Sequence, residues 1–174
     1  MSNRSNRSNR ESSDGENYRP ESGDGWHECH CGHKHWGIYG AAGLLAVRRR
    51  GEELFVLLQH RAPWSHNGDT WGLPGGALNR DEDAIAGAFR EALEEVGIDA
   101  THLTPLHSHM DDHSTWSYET VIALASDDAA ASVANHESVA VAWITTSGVE
   151  SENLHPSFAK SWPALQKLLQ SLGI

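Results

Sequence analysis

The sequence predicts a mixed α/β (α+β) domain in which helices pack on a mixed sheet, and three observations carry that prediction. Short apolar runs bounded by turn residues recur along the chain, as buried strands do. One segment, Asp81 to Val96, combines helical periodicity with helix-end signals. A second amphipathic stretch, Phe158 to Leu172, closes the chain. Strands, one helix, more strands and a last helix make that architecture.

In chain order, residues 1–25 read as a disordered polar tail. They open with Ser-Asn-Arg three times over, and Tyr18 is their one aromatic residue, too little apolar surface to offset ordering entropy. Residues 26–35 form a Cys/His-rich segment, and residues 36–174 the folded domain. Ile38 to Arg48 and Leu54 to His60 read as two strands of a hairpin around a polar, glycine-containing turn. Trp71 to Leu78 (WGLPGGAL) is a short strand bent at Pro74, Gly75 and Gly76. The helix over 81–96 has acidic residues at its start, where the macrodipole favours them, and Gly97 at its C-cap. Leu103 to Met110 and Ser117 to Ala125 pair as strands, and Val139 to Thr145 adds another. In the final helix Phe158, Trp162, Leu165, Leu168, Leu169 and Leu172 share one stripe.

With 174 residues, 39% apolar and 21% charged, the chain suits one domain with a real core. It has no apolar run near membrane-spanning length and opens without a secretory signal, so the expectation is a cytoplasmic protein without a membrane partner. A formal net charge of −11 argues against a nucleic-acid surface. It leaves room for a small phosphorylated ligand whose charge divalent cations neutralise.

Three glutamates in the first helix, Glu91, Glu94 and Glu95, fall within about a quarter-turn of one another. Ile85, Ala86, Phe89, Ala92, Leu93 and Val96 are expected on the opposite, core-facing side. Crowded carboxylates repel, and a hard divalent cation with oxygen ligands relieves that repulsion. Taken alone, the cluster reads as a solvated acidic face sooner than as a metal site. The frame around it changes the odds. From Gly76 to Ile98 the chain reads GALNRDEDAIAGAFREALEEVGI, with Gly76, Glu82, Arg90, Glu91, Glu94, Glu95 and Gly97 at fixed spacings.

That pattern resembles the Nudix box. Ala92 is smaller than the usual aliphatic residue at its place. The preceding WGLPGG, the two early strands and the closing helix extend the resemblance to the Nudix fold, a mixed β-sheet sandwiched between α-helices. The resemblance implies a hydrolase that cleaves a diphosphate linkage of a nucleotide by water attack at phosphorus, with Mg2+ or Mn2+ as cofactor. It implies metal ligation by the Gly76 carbonyl and by Glu91, Glu94 and Glu95, with Arg90 orienting carboxylates and Glu82 as its partner. Glu137, six residues before Trp143, is placed like the extra glutamate of the 8-oxo-dGTP hydrolases of the family, as a further ligand or base. Signatures of other subfamilies are missing: Ser114 stands where ADP-ribose hydrolases carry a proline, and the proline-rich run of NADH hydrolases is absent. Elimination leaves a nucleoside triphosphate, including an oxidised one. The alternatives are a nucleotide-sensing domain without catalysis and a zinc-stabilised interaction module.

Two substrate contacts are expected beyond the metal set. Trp116 offers an aromatic face to a base, with a strand-end anchor as its competing role, and Arg61 offers a cation to phosphate. Separately, HECHCGHKH at 27–35 holds Cys29, Cys31, His33 and His35, a donor set suited to Zn2+. Its spacing is not that of a common zinc finger, and a lid or tail end is the competing reading.

Overall fold

In a computed structural model, the structure describes residues 19–174, so most of the segment read as a disordered tail lies outside the described residues. Residues 19–25 belong to that segment, and they lie against the domain. The Tyr39 hydroxyl donates to the Pro20 carbonyl at 2.7 Å, the Arg80 guanidinium to the Arg19 carbonyl at 2.8 Å, and the Ile38 amide to the Gly23 carbonyl at 2.9 Å. Residues 26–36 form a small hairpin of β1 (Trp26–Glu28) and β2 (Lys34–Trp36), with Trp26 paired to Trp36.

The main sheet follows in β3 (Ala41–Arg50), β4 (Glu53–Arg61), β5 (Trp71–Gly72) and β6 (Gly75–Ala77), then β7 (Leu103–Asp112), β8 (Ser117–Ala125) and β9 (Ser138–Thr145). The order β5-β4-β3-β8-β7 runs across it, with β6 on β3 and β9 on β4. β3 and β8 pair in parallel from Ala41↔Tyr118 to Val47↔Leu124; the other pairings are antiparallel, so the sheet is mixed.

Residues of β3 are buried on both faces because a helix covers each side. α1 (Ala84–Val96) packs Ala88, Ala92 and Val96 against Ala42, Leu44, Ala46, Leu57, Val121 and Ala123. α2 (Pro156–Leu172) packs Phe158, Trp162, Leu165 and Leu169 against Leu45, Val47, Val56, Leu58 and Ile122. The alternation of Leu44 and Leu45, or Leu57 and Leu58, between these two layers is the two-residue strand period made visible.

The ends of α1 follow from its sequence. Asp83 has extended backbone and accepts a hydrogen bond from the Ala86 amide at 2.8 Å, so it is the N-cap. Asp81 and Glu82 precede the helix instead of crowding its first turn. Gly97 takes the left-handed conformation, φ 70°, and its amide bonds the last turn. The apolar face of α1 differs from expectation. Ile85, Ala86 and Leu93 point to solvent, and Glu95 is buried beside Ala88, Ala92 and Val96. The helix has turned its acidic edge inward.

Candidate active site

α1 can turn that way because the residues facing the sheet are small. Gly87, Ala88 and Ala92 let the helix lie close to β3 and β6, which brings Glu91 and Glu95 to the bent segment after β5. Glu91 rests directly on Gly76. A Cβ at that position would come within 2.7 Å of the Glu91 carboxylate carbon, so a side chain there would push the carboxylate from its place.

Glu95 is 3% exposed, and one of its oxygens accepts two hydrogen bonds, from the Gly75 amide and from the Gln59 side-chain amide, both at 2.8 Å. Gln59 is held in turn by the Ser138 hydroxyl, which donates to its Oε1. Gln59 and Ser138 were not anticipated as site residues, although a lone buried glutamine among apolar neighbours in β4 is a recognisable signal. Burial pushes the Glu95 carboxyl up to about 8, against the lowering effect of its two donors, and the Glu91 and Glu137 charges add to the rise. Glu91 is also raised, first by burial, with Arg90 opposing and Glu94 and Glu137 contributing.

Arg90 organises the rim. Its Nε and Nη2 donate to the two Glu82 oxygens at 2.9 Å each, Nη2 also to the Ala77 carbonyl at 2.9 Å, and Nη1 to Glu91 at 2.7 Å. Nη1 lies 3.6 Å from Glu94. The bidentate pair holds the Glu82 carboxyl below its ordinary range and raises the guanidinium. Glu82 also accepts from the Asn79 amide, so it pins the loop before α1. Glu94 is half exposed at the open edge.

Glu137 arrives from the loop before β9, exposed, with its backbone carbonyl accepting from the Ala62 amide. Its charge adds, as the smallest contribution, to the raised carboxyls of Glu91 and Glu95. The structure therefore brings Glu91 onto Gly76, Glu95 onto the Gly75 amide and Arg90 between Glu82, Glu91 and Glu94, while Glu137 stands on the adjoining loop; among the described residues these carboxylates do not close into a group with all ligand atoms within 4.8 Å of one another. All-oxygen donors, two of them buried with raised carboxyls, and a backbone that approaches without a side chain fit a hard divalent cation.

Arg61 lies toward the edge of this group, whereas Trp116 packs against the N-terminal hairpin. Arg61 donates to the His66 carbonyl at 3.2 Å, and its charge reaches Tyr118 and His155. Tyr118 itself feels the Glu95 and Glu91 charges, so Arg61 and the carboxylates share a neighbour. Trp116 has one face stacked on His35, with centroids 4.2 Å apart and planes 9° apart, and its indole N–H donates to the Gly37 carbonyl at 2.8 Å. The stacked face is therefore occupied, and the expected base contact would fall to what remains of the ring.

A family model described as NUDIX domain matches residues 39–166. A Mycobacterium tuberculosis protein with the provisional name 8-oxo-dGTP diphosphatase 3 is 43% identical over 152 residues, which are 83% of this chain and 69% of that protein. A Bifidobacterium longum protein named nucleoside triphosphate pyrophosphatase/Nudix hydrolase fusion protein is 38% identical over 164 residues, 87% of this chain; the chain spans 32% of that relative's length. Among solved structures, the Nudix hydrolase RenU from M. smegmatis aligns with a TM-score of 0.78 at 40% identity, covering 86% of this chain and 96% of its own.

Proposed function

The chain belongs to the NUDIX domain family and is a Nudix-type pyrophosphohydrolase, and from that premise we propose that it is a Mg2+- or Mn2+-dependent enzyme acting on a nucleoside triphosphate. The observation that carries the metal dependence is the burial of Glu95 with a raised carboxyl beside Glu91 and within reach of the Glu137 charge. Arg90 and the amides of Gly75 and Gln59 offset part of the charge of these acids, and a divalent cation would offset the rest.

In this reading the Gly76 carbonyl and the Glu91, Glu94 and Glu95 carboxylates would hold the metal. When bound, the metal polarises the diphosphate and lowers the pKa of water. Gln59 and the Gly75 amide fix the Glu95 carboxylate through one oxygen, which leaves the other directed to its task. Arg90 and Glu82 hold the helix and the loop in register, so the acids keep their spacing during turnover. Glu137, with no ion-pair partner among the described residues, is the carboxylate free to accept a proton from the attacking water. Arg61 supplies positive charge to the phosphates from the far edge, and the open face of Trp116 meets the base.

Support for a nucleoside triphosphate, including an oxidised guanine nucleotide, comes from the relative named 8-oxo-dGTP diphosphatase 3 and the missing signatures of other subfamilies. The test is a screen with Mg2+ and with Mn2+ of canonical and 8-oxo nucleoside triphosphates, ADP-ribose, nucleotide sugars and dinucleoside polyphosphates. Products are read by chromatographic separation of nucleotides and sugar phosphates, with phosphate and pyrophosphate assayed in addition for the triphosphates. Highest kcat/KM on a triphosphate with pyrophosphate release is expected. Preference for another class overturns the substrate assignment, and equal turnover in a chelator overturns the metal dependence.

A further inference from the structure

The hairpin at residues 26–36 stands apart from the chemistry above, and its turn carries donors of a different kind. The Cys29 and Cys31 sulfurs and one His35 ring nitrogen all lie within 4.8 Å of one another. Cys31 Sγ is 3.2 Å from His35 Nε2 and 3.7 Å from His33 Nδ1. Zinc–sulfur and zinc–nitrogen bonds of about 2.3 and 2.0 Å place a tetrahedral sulfur–nitrogen pair roughly 3.5 Å apart, and these two separations fall on either side of that value. Neither cysteine is in a disulfide.

We propose that Cys29, Cys31, His33 and His35 bind one structural Zn2+ that clips the N-terminal hairpin onto the turn between β7 and β8. Thiolate and imidazole donors select zinc over the hard cations suited to the carboxylate site, so the chain holds two metal sites of opposite chemical class. The proposal stands independently of the substrate assignment.

Three features of the surroundings support a built site. Cys29 is 7% exposed, and its sulfur accepts from the Thr115 hydroxyl at 3.5 Å, a donor on the β7–β8 turn that suits a thiolate; its thiol proton, now donated to the His113 carbonyl at 2.7 Å, is the one zinc would displace. The His35 ring is fixed by its stack on Trp116 and lies 4.6 Å from the His113 ring, an orienting shell of the sort metal-bound histidines have. The hairpin is otherwise held by exposed contacts: the Lys34–Glu28 ion pair, the Trp26–Trp36 edge contact and bonds of His27 and His30 to the Thr115 hydroxyl. Its strands are three residues each, and Trp26 and Trp36 are 53% and 44% exposed, so apolar burial gives it little support. A metal closes that deficit, because ligands absent from the unfolded chain turn binding energy into folding energy.

The test uses the full chain purified without an affinity tag of histidines and without chelator. About one zinc ion per chain is expected by elemental analysis. Replacement by Co2+ is expected to give the near-ultraviolet sulfur-to-cobalt absorption that only thiolate ligands produce. That band is expected to persist in Glu94→Gln and vanish in Cys31→Ser, which separates this site from the carboxylates. Should Cys31→Ser not fold, the native chain still decides the matter: zinc is expected to slow reaction of its thiols with a chromogenic thiol reagent by about tenfold or more. Zinc below a tenth of an equivalent with no cobalt–thiolate band, or thiols equally reactive with and without zinc, overturns the proposal.

Discussion

α1 and α2 cover opposite faces of one sheet, and they do it with opposite materials. α2 presents Phe158, Trp162, Leu165 and Leu169, large side chains that fill space. α1 presents Gly87, Ala88, Ala92 and a buried glutamate. The small residues bring the α1 backbone close enough to β6 for Glu91 to touch Gly76, and the lost apolar area is the cost of placing acids there. The comparison teaches that one layer of this domain is arranged for cohesion and the other for charge.

Activity should separate the layers most sharply. Glu94→Gln is expected to lower kcat/KM by at least about a thousandfold, roughly 4 kcal/mol of barrier, while the denaturation midpoint stays near the parent's. A variant with near-parental kcat/KM would remove Glu94 from the proposed metal set. Steady-state kinetics on the best substrate of the screen, beside a urea titration, measures both.

The pH dependence of stability should come next. In metal-free protein the Glu95 carboxyl sits near 8, above the 4.5 of an ordinary glutamate, so the folded chain retains a proton that the unfolded chain has released. Stability is then greatest below 4.5 as far as Glu95 is concerned, and falls as pH rises toward 8, by on the order of a few kcal/mol. Glu91 contributes in the same direction. The lowered Glu82 works oppositely, its contribution being lost as pH falls below the ordinary carboxylate range. Chemical denaturation between pH 5 and 9 in chelator should show the decline, and Glu95→Gln should flatten it. An unchanged slope in that variant would mean another group is responsible.

Leu165→Ala probes the cohesive layer. Leu165 is fully buried, and its truncation should cost about 3 kcal/mol with kcat of the folded enzyme retained. A fall in kcat comparable to that of Glu94→Gln would show that the two layers are not separable. The smallest effect is at the caps. Asp83→Ala should cost about 1 kcal/mol, because the Asp83 carboxylate accepts the Ala86 amide at 2.8 Å. His155→Ala should cost less by thermal melts, since the Nδ1 that accepts the Ser157 amide does so at 3.3 Å.

The part of the site legible in the sequence was the part that is local. Gly76 through Ile98 is one continuous frame, so spacing alone lines up the glycine, the arginine and the glutamates. The direction the helix faces was not legible, because periodicity assigns apolar residues to the core. Leu93 and Ile85 are exposed here, while Glu95 has hydrogen-bond donors waiting inside. Those donors were invisible for the same reason: Gln59 and Ser138 come from separate strands, and only the β4–β9 pairing makes them neighbours. The strands themselves were readable, as apolar runs between turns, and the structure shifts their ends by a few residues. The hairpin at 26–36 fell short of recognition because strands of three residues leave almost no pattern to read.

The parallel pairing of β3 with β8 sets the order in which the molecule can assemble. Ala41 meets Tyr118 only after the intervening chain, α1 included, has been looped back, and closing so long a loop is slow compared with winding a helix. α1 can therefore form early while the strands that aim its glutamates are still apart. During refolding, helical signal should return before catalytic competence, with the interval set by how quickly β8 finds its place beside β3.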